Sequence, residues 1–210
     1  MDLEGVDVNL TLPSSWFGTW TLSEDPAVET MMYRVYHRWV VLHTFTVMPP
    51  YAPGGLETWD NLWLQRSAAH PWCGMRNMAA LIGSGVMDRY PQLRIGTLEA
   101  GHSWLPFWMA RLDEHVHSIA AALPPLQYTP SDYVLSGRYF QSIEIPEGVQ
   151  LTRTVIDLLG EDVLMYASDY PHGERWFPKS VETVLGWDLP ETAKRKLFWD
   201  NAVKFYARYR

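Results

Sequence analysis

Arg94-Ile95-Gly96-Thr97-Leu98-Glu99-Ala100-Gly101-His102-Ser103-Trp104-Leu105-Pro106 passes from a short apolar run, through a polar turn, into the start of a helix. The residues up to Glu99 suit a buried strand, and Pro106 suits a first helical turn, where its missing N–H is an orphan anyway. That helix is expected over 104–123. The same grammar recurs on either side. Val40-Val41-Leu42-His43-Thr44-Phe45 reads as a strand and breaks into a Pro/Gly loop at 49–55. Tyr139-Phe140-Gln141-Ser142-Ile143-Glu144 is followed by a helix over 148–159 that Gly160 closes. Val163-Leu164-Met165-Tyr166-Ala167-Ser168-Asp169 is a continuous apolar strand ending on a polar pair, with helices expected at 178–185 and 191–209. Between the first two strands the spacing predicts a helix over 59–69, stopped by Pro71. A second is predicted over 72–90, with Met75, Met78, Ala79, Ile82 and Val86 on one face. Upstream, the alternation of Val6, Val8, Leu10 and Leu12 predicts one more strand, and 26–39 one more helix, capped by Asp25. Strands alternating with helices predict an α/β protein built of β/α units on a parallel sheet, with five strands in all. One join is abrupt. The helix ending at Trp39 meets the strand at Val40 with no loop, where such connections take about 2–6 residues.

The chain has 210 residues and no low-complexity linker, so a single domain over 1–210 is expected. With 47% hydrophobic and 20% charged residues it has ample side chain to bury a core, which excludes a disordered or collagen-like chain. A net charge of −7 with scattered basic residues argues against nucleic acid as partner. No apolar run reaches the roughly 18–20 residues of a membrane span. Met1 is followed by Asp2 and Glu4, which does not read as a signal peptide, and the one cysteine, Cys73, has no partner for an internal disulfide. A reducing, cytoplasmic setting is therefore expected, with Cys73 an inert small hydrophobe. The 11 tryptophans and 11 tyrosines point to aromatic packing, an aromatic substrate pocket or a subunit interface.

Chemistry-bearing residues fall at the C-terminal ends of the expected strands, where parallel β/α folds keep their active sites. They are His43, Glu99 and Asp169. An imidazole and carboxylates converging there are a donor set for zinc or another divalent ion, which lowers the pKa of bound water and polarises a carbonyl. His43 alone reads more simply as a core or loop histidine bonded to backbone. An Asp closing so apolar a run must be solvated, paired or metal-bound, because an unpaired buried carboxylate costs several kcal/mol. His172, three residues after Asp169, is a candidate for holding substrate or moving a proton, or a plain loop histidine; His70 and His102 also stand beside expected loops. Gly83-Ser84-Gly85 lacks the Lys-Ser/Thr of a phosphate loop and falls in an expected helix, and there is no Gly-x-Ser-x-Gly elbow.

Several stretches resemble the amidohydrolase-related family of metal-dependent TIM-barrel enzymes. They are Ser84-Gly85-Val86-Met87-Asp88-Arg89-Tyr90-Pro91, Leu98-Glu99-Ala100-Gly101-His102-Ser103-Trp104-Leu105-Pro106, Arg111-Leu112-Asp113-Glu114-His115, Ala167-Ser168-Asp169-Tyr170-Pro171-His172 and Phe198-Trp199-Asp200-Asn201-Ala202. The resemblance runs in order over 40–210. It implies a hydrolase or decarboxylase acting on a small, possibly aromatic, carboxylate or carbonyl substrate. It also implies a divalent metal, zinc first with manganese or iron as alternatives. By this resemblance His43 is a metal ligand after the fifth barrel strand and Asp169 one after the eighth. Asp169, Glu99 and His172 would carry the catalysis. Tyr51, Trp104 and Trp176 are candidates to stack on an aromatic acid, though packing accounts for each more simply. The family opens with a His-x-His that this chain lacks before His43. Residues 1–39 resemble the second β/α unit and 40–210 units five to eight, so the resemblance implies a partial barrel of about five of eight units. Either the copy is shortened, or another subunit completes the barrel, which implies a homo-oligomer with Trp16, Trp20 or the 40–45 strand near the contact. A non-catalytic barrel remnant acting in binding or assembly is the alternative.

Overall fold

The structure, a computed structural model, describes residues 42–44, 60–119, 125–170 and 176–207. Strands β1 (Leu42–Thr44), β2 (Ile95–Thr97), β3 (Tyr139–Ser142) and β4 (Leu164–Met165) form one sheet in that order. Each is parallel to the next. Parallel neighbours need crossovers, and helices supply them. Helices α1 (Leu62–Gly83) and α2 (Val86–Arg89) lie between β1 and β2 in the chain. Between β2 and β3 come α3 (Leu105–Ser118) and α4 (Pro130–Tyr133), the latter running on as a wide turn, Val134–Arg138. Helix α5 (Gly148–Leu159) joins β3 to β4. After β4 come α6 (Ser180–Leu185), α7 (Glu191–Arg195) and α8 (Asn201–Tyr206), the last two linked by the wide helical turn Lys196–Asp200.

Side-chain alternation along the strands divides the core in two. Ile95 and Tyr139 are paired in register and both buried, packing with Met78, Ile82 and Met109 under the helices. One residue on, Gly96 pairs with Phe140 and both meet Phe205 of α8 on the other face, joined by Met165. The Phe140 and Phe205 rings lie 5.2 Å apart. Gly96 makes that approach possible, since a Cβ there would come within 2.5 Å of Phe205 Cζ. Polar groups fix the same helix: the Arg94 guanidinium donates to the carbonyls of Lys204 and Ala207. Asn201 Nδ2 donates to the carbonyls of Glu161 and Leu164, each at 2.8 Å.

Helix α5 and its Gly160 stop, strands β2 and β3, and Pro106 in the first turn of α3 lie where the sequence puts them. Four points differ. Helix α1 runs straight through Pro71. Proline removes one helical hydrogen bond, a local cost that burial of Cys73, Met78 and Ile82 beyond it outweighs. The break comes instead just after Gly83, at Ser84-Gly85, where Gly85 takes φ 69° and turns the chain, so the stretch leaves the helix instead of lying within it. The expected strand over 163–169 pairs only at Leu164–Met165, because an apolar run reports burial and not ladder bonding. Helix α4 was not expected, although Thr129 and Asp132 form a capping box with Pro130 in the first turn. The strand expected at 5–12 and the helix at 26–39 lie outside the described residues.

Gly96→Ala is expected to destabilise the protein by about 1–3 kcal/mol, the range for overpacking a filled core. Chemical denaturation checks this, and Phe205→Leu in the same background should recover part of the loss.

Candidate active site at the strand ends

Two non-glycine residues in the described chain have positive φ, Glu99 at 58° and Asp169 at 55°. Each follows a strand, Glu99 two residues after β2 and Asp169 four after β4. The left-handed region costs an L-residue about 1–2 kcal/mol, so surrounding structure must impose it. Both residues are half-buried. With its backbone in the left-handed region, Glu99 leaves the strand, and strand alternation no longer governs its side chain.

Side chains from β3 and the segment after it impose that turn. The Glu99 N–H donates to Ser142 Oγ at 3.1 Å. Gln141 Nε2 donates to the Gly101 carbonyl, while its Oε1 receives the Tyr139 hydroxyl. Tyr139 also lies 2.9 Å from Thr97 Oγ1. Burial pushes the Tyr139 phenol well above its ordinary range against the opposing effect of Thr97, so it remains a donor. Thr97, Tyr139, Gln141 and Ser142 are all buried, and their polar atoms use one another and the turn's backbone as partners.

Farther along the turn, Glu147 Oε2 accepts the backbone N–H groups of His102 and Ser103, both at 2.9 Å. The same oxygen lies 2.7 Å from His102 Nδ1. The other imidazole nitrogen, Nε2, is 2.9 Å from Thr152 Oγ1, whose hydroxyl donates to the Gly148 carbonyl. His102 is fully buried in this clamp, so it braces the loop and is not an exposed loop histidine. Burial alone would raise the Glu147 carboxyl. Hydrogen bonding and charge from His102, with the two backbone donors, instead hold it below the usual carboxylate range. Gly101, at φ 70°, allows this closeness, since a Cβ there would lie 2.5 Å from Glu147 Oε1.

Asp169 lines a narrow cleft with Glu144, Ser168, Trp176 and Phe177, with about 20 Å³ of room, enough for one water molecule. Tyr170 stacks at a tilt on Phe177 with centroids 4.7 Å apart, giving the cleft an aromatic rim. A larger cleft, about 500 Å³, opens among Arg153, Asp157, Glu161 and Asp188. It lies on the side where the chain enters β4, the wrong end of a parallel sheet for chemistry, so size does not mark the site.

His43 occupies the middle of β1, paired in register with Gly96, one residue inside the strand end where the sequence puts it. His172 and Tyr51 lie outside the described residues. Trp104 packs into the helix-side core and donates its indole N–H to the Ala100 carbonyl at 2.7 Å, whereas Trp176 does reach the cleft. Cys73 is buried and free, as expected. The sequence reading missed Gln141, Ser142 and Glu147. Its available signal was two adjacent polar residues in a strand buried on both faces. Among the described residues no three His, Cys, Asp or Glu side chains gather as a metal site. The described residues thus do not by themselves provide the three protein ligands usual for catalytic zinc.

The family profile described as amidohydrolase matches residues 38–208, most of the chain. The chain belongs to the amidohydrolase family. Gamma-resorcylate decarboxylase of Polaromonas sp. (strain JS666 / ATCC BAA-500) is 28% identical over 136 residues, which is 60% of this chain and 38% of that protein. The fold matches 5-carboxyvanillate decarboxylase from Sphingomonas paucimobilis with a TM-score of 0.68 at 22% identity, covering 87% of this chain and 53% of that one. It also matches 5-carboxyvanillate decarboxylase from Novosphingobium aromaticivorans, solved with manganese and 4-hydroxy-3-methoxy-5-nitrobenzoic acid. There the TM-score is 0.64 at 23% identity, over 85% of this chain and 51% of that one. This amidohydrolase chain thus spans about half the length of these solved relatives, in keeping with a partial TIM-barrel-type sheet. Among the described residues no helix is long and apolar enough to cross a membrane.

Glu147→Gln is expected to lower stability at neutral pH by about 1.5–3 kcal/mol, the range for a hydrogen bond to a charged group. A carboxyl depressed in the folded state contributes stability that is present above its ordinary value near 4.5 and lost as pH falls through the folded value. Wild type should therefore lose stability over that acid window more steeply than Glu147→Gln. Thermal melts across a pH series read both effects.

Proposed function

We propose that this chain carries the metal-dependent decarboxylation of a small aromatic carboxylate, at the strand ends that hold Glu99 and Asp169. The observation that carries the reading is the pair of left-handed carboxylates after β2 and β4, held in an unfavourable backbone state on the side of the sheet used for chemistry. Decarboxylation releases CO₂ and delivers a proton to the carbon that bore it. Glu99 is the proposed group to orient the substrate or move that proton, with His172 as its partner in the loop after Asp169. Asp169 and His43 are this chain's proposed share of the ligands to a divalent ion, and Asp169 doubles as a proton acceptor. Zinc is the ion expected from the sequence, and the Novosphingobium relative supports manganese equally. The rim of Tyr170, Trp176 and Phe177 suits an aromatic ring.

Metal analysis after dialysis tests this, together with CO₂ release from gamma-resorcylate and 5-carboxyvanillate in the presence of Zn or Mn. About one equivalent of metal and measurable release are expected. Asp169→Asn keeps the shape and removes the charge, so metal affinity and turnover should fall about 10–100-fold or more, with the melting temperature held or slightly raised. Loss of about 1–3 kcal/mol of stability with metal intact would make Asp169 structural. A well-folded chain with neither metal nor turnover would make it a non-catalytic remnant, the reading favoured by the incomplete donor set among the described residues.

The proposed domain is the whole of 1–210, with 1–39 equivalent to the second β/α unit and 40–210 to units five to eight. Another copy of the chain is proposed to complete the partial barrel, since a barrel of fewer than eight units leaves strand edges that need a partner or cover. Light scattering should give a homo-oligomer, and a monodisperse species near 24.3 kDa would count against it.

A further inference from the structure

We infer that Ser142 is a positioning residue for Glu99: its Oγ takes the Glu99 backbone N–H and holds the left-handed turn that sets the carboxylate at the strand ends. The inference rests on the reading of Glu99 as a site residue and adds how the fold holds it there.

The turn after β2 is gripped at three successive places by one neighbouring segment. Ser142 binds the N–H of Glu99, Gln141 binds the carbonyl of Gly101, and Glu147 binds the N–H groups of His102 and Ser103. The last two secure the downstream half of the loop. Ser142 alone acts at the residue whose φ is 58°. Had Glu99 continued the strand, its N–H would be spent in the ladder. Turning it into the left-handed region takes it out of the ladder and leaves a donor that needs another acceptor. Ser142 is 1% exposed, so water cannot readily take the hydroxyl's place. Packing adds a second constraint. Ala100 is fully buried, and Gly74 of α1 lies so near that a Cβ on Gly74 would come 2.7 Å from Ala100 Cβ. With Ala100 packed in place, the Ser142 bond restrains rotation of the Glu99 peptide. In sequence the pattern is Gln141-Ser142 interrupting an otherwise apolar strand.

The test compares full-length wild type, Ser142→Ala, which deletes the acceptor, and Ser142→Thr, which keeps the oxygen. Glu99→Gln serves as the control. With Mn²⁺ and gamma-resorcylate, Ser142→Ala should lower kcat about tenfold or more while KM moves by less than about threefold, as expected for a misplaced reacting group. Ser142→Thr should recover most of kcat, and the Glu99 amide should exchange with solvent about tenfold faster in Ser142→Ala, while Tyr139 and Phe140 stay protected. Wild-type kcat with unchanged Glu99 exchange in Ser142→Ala overturns the inference, and so does a Thr variant as slow as the Ala variant. If wild type releases no CO₂, or Glu99→Gln turns over normally, the functional reading fails instead. Amide exchange then still decides the inference: accelerated exchange confined to 98–101 upholds Ser142 as what holds the turn, and unchanged exchange overturns it.

Discussion

Glu147, set just before α5, accepts two backbone N–H groups from the loop after β2 and lies 2.7 Å from the imidazole of a buried histidine. A carboxylate so placed must be satisfied, because burying it without donors costs several kcal/mol. The loop therefore has one arrangement open to it. Gly101 must be glycine, since Glu147 occupies the space a Cβ would take. His102 must point inward to reach both Glu147 and Thr152. With those atoms fixed, Glu99 is confined to the short stretch between the end of β2 and the clamp, where Ser142 holds its left-handed backbone.

Below the mouth, the sheet works by a division of faces. Ile95 and Tyr139 belong to the helix-side core, and Gly96 and Phe140 to the face against Phe205. The polar residues Thr97, Gln141 and Ser142 come last along β2 and β3, where the apolar core gives way to the turn. A buried polar layer is stable only when fully bonded. Here it is bonded to the very backbone that carries the candidate chemistry. Loss of one member would be felt at the mouth before it was felt in the core.

The amidohydrolase family gives this arrangement a context, and the chain's length gives it a tension. At the mouth two carboxylates stand in left-handed turns beside an aromatic rim. Yet the described donors fall short of a complete metal site, and the chain spans about half of its solved relatives. The strained turns argue for a site, because such conformations persist only where structure over-determines them.

Local sequence determined the elements whose signals are self-contained. Helix α5 starts and stops where Gly148 and Gly160 say it should, and β2 and β3 sit within their apolar runs, because periodicity and end residues act over a few positions. The family was legible through the resemblance of motifs over 40–210, and Glu99 and Asp169 as strand-end carboxylates because each closes a short, mostly apolar run. Tertiary structure alone decided the rest. Pro71 stays inside α1 because burial farther along the helix outweighs one lost hydrogen bond. The strand at 163–169 shrinks to two paired residues because burial and ladder pairing are separate properties that one apolar run cannot distinguish. His102 became a buried brace because its partners, Glu147 and Thr152, lie 45 and 50 residues away in the chain. The hold of Ser142 on Glu99 spans 43 residues, and no local pattern encodes a hydrogen bond that exists only once two parallel strands have met.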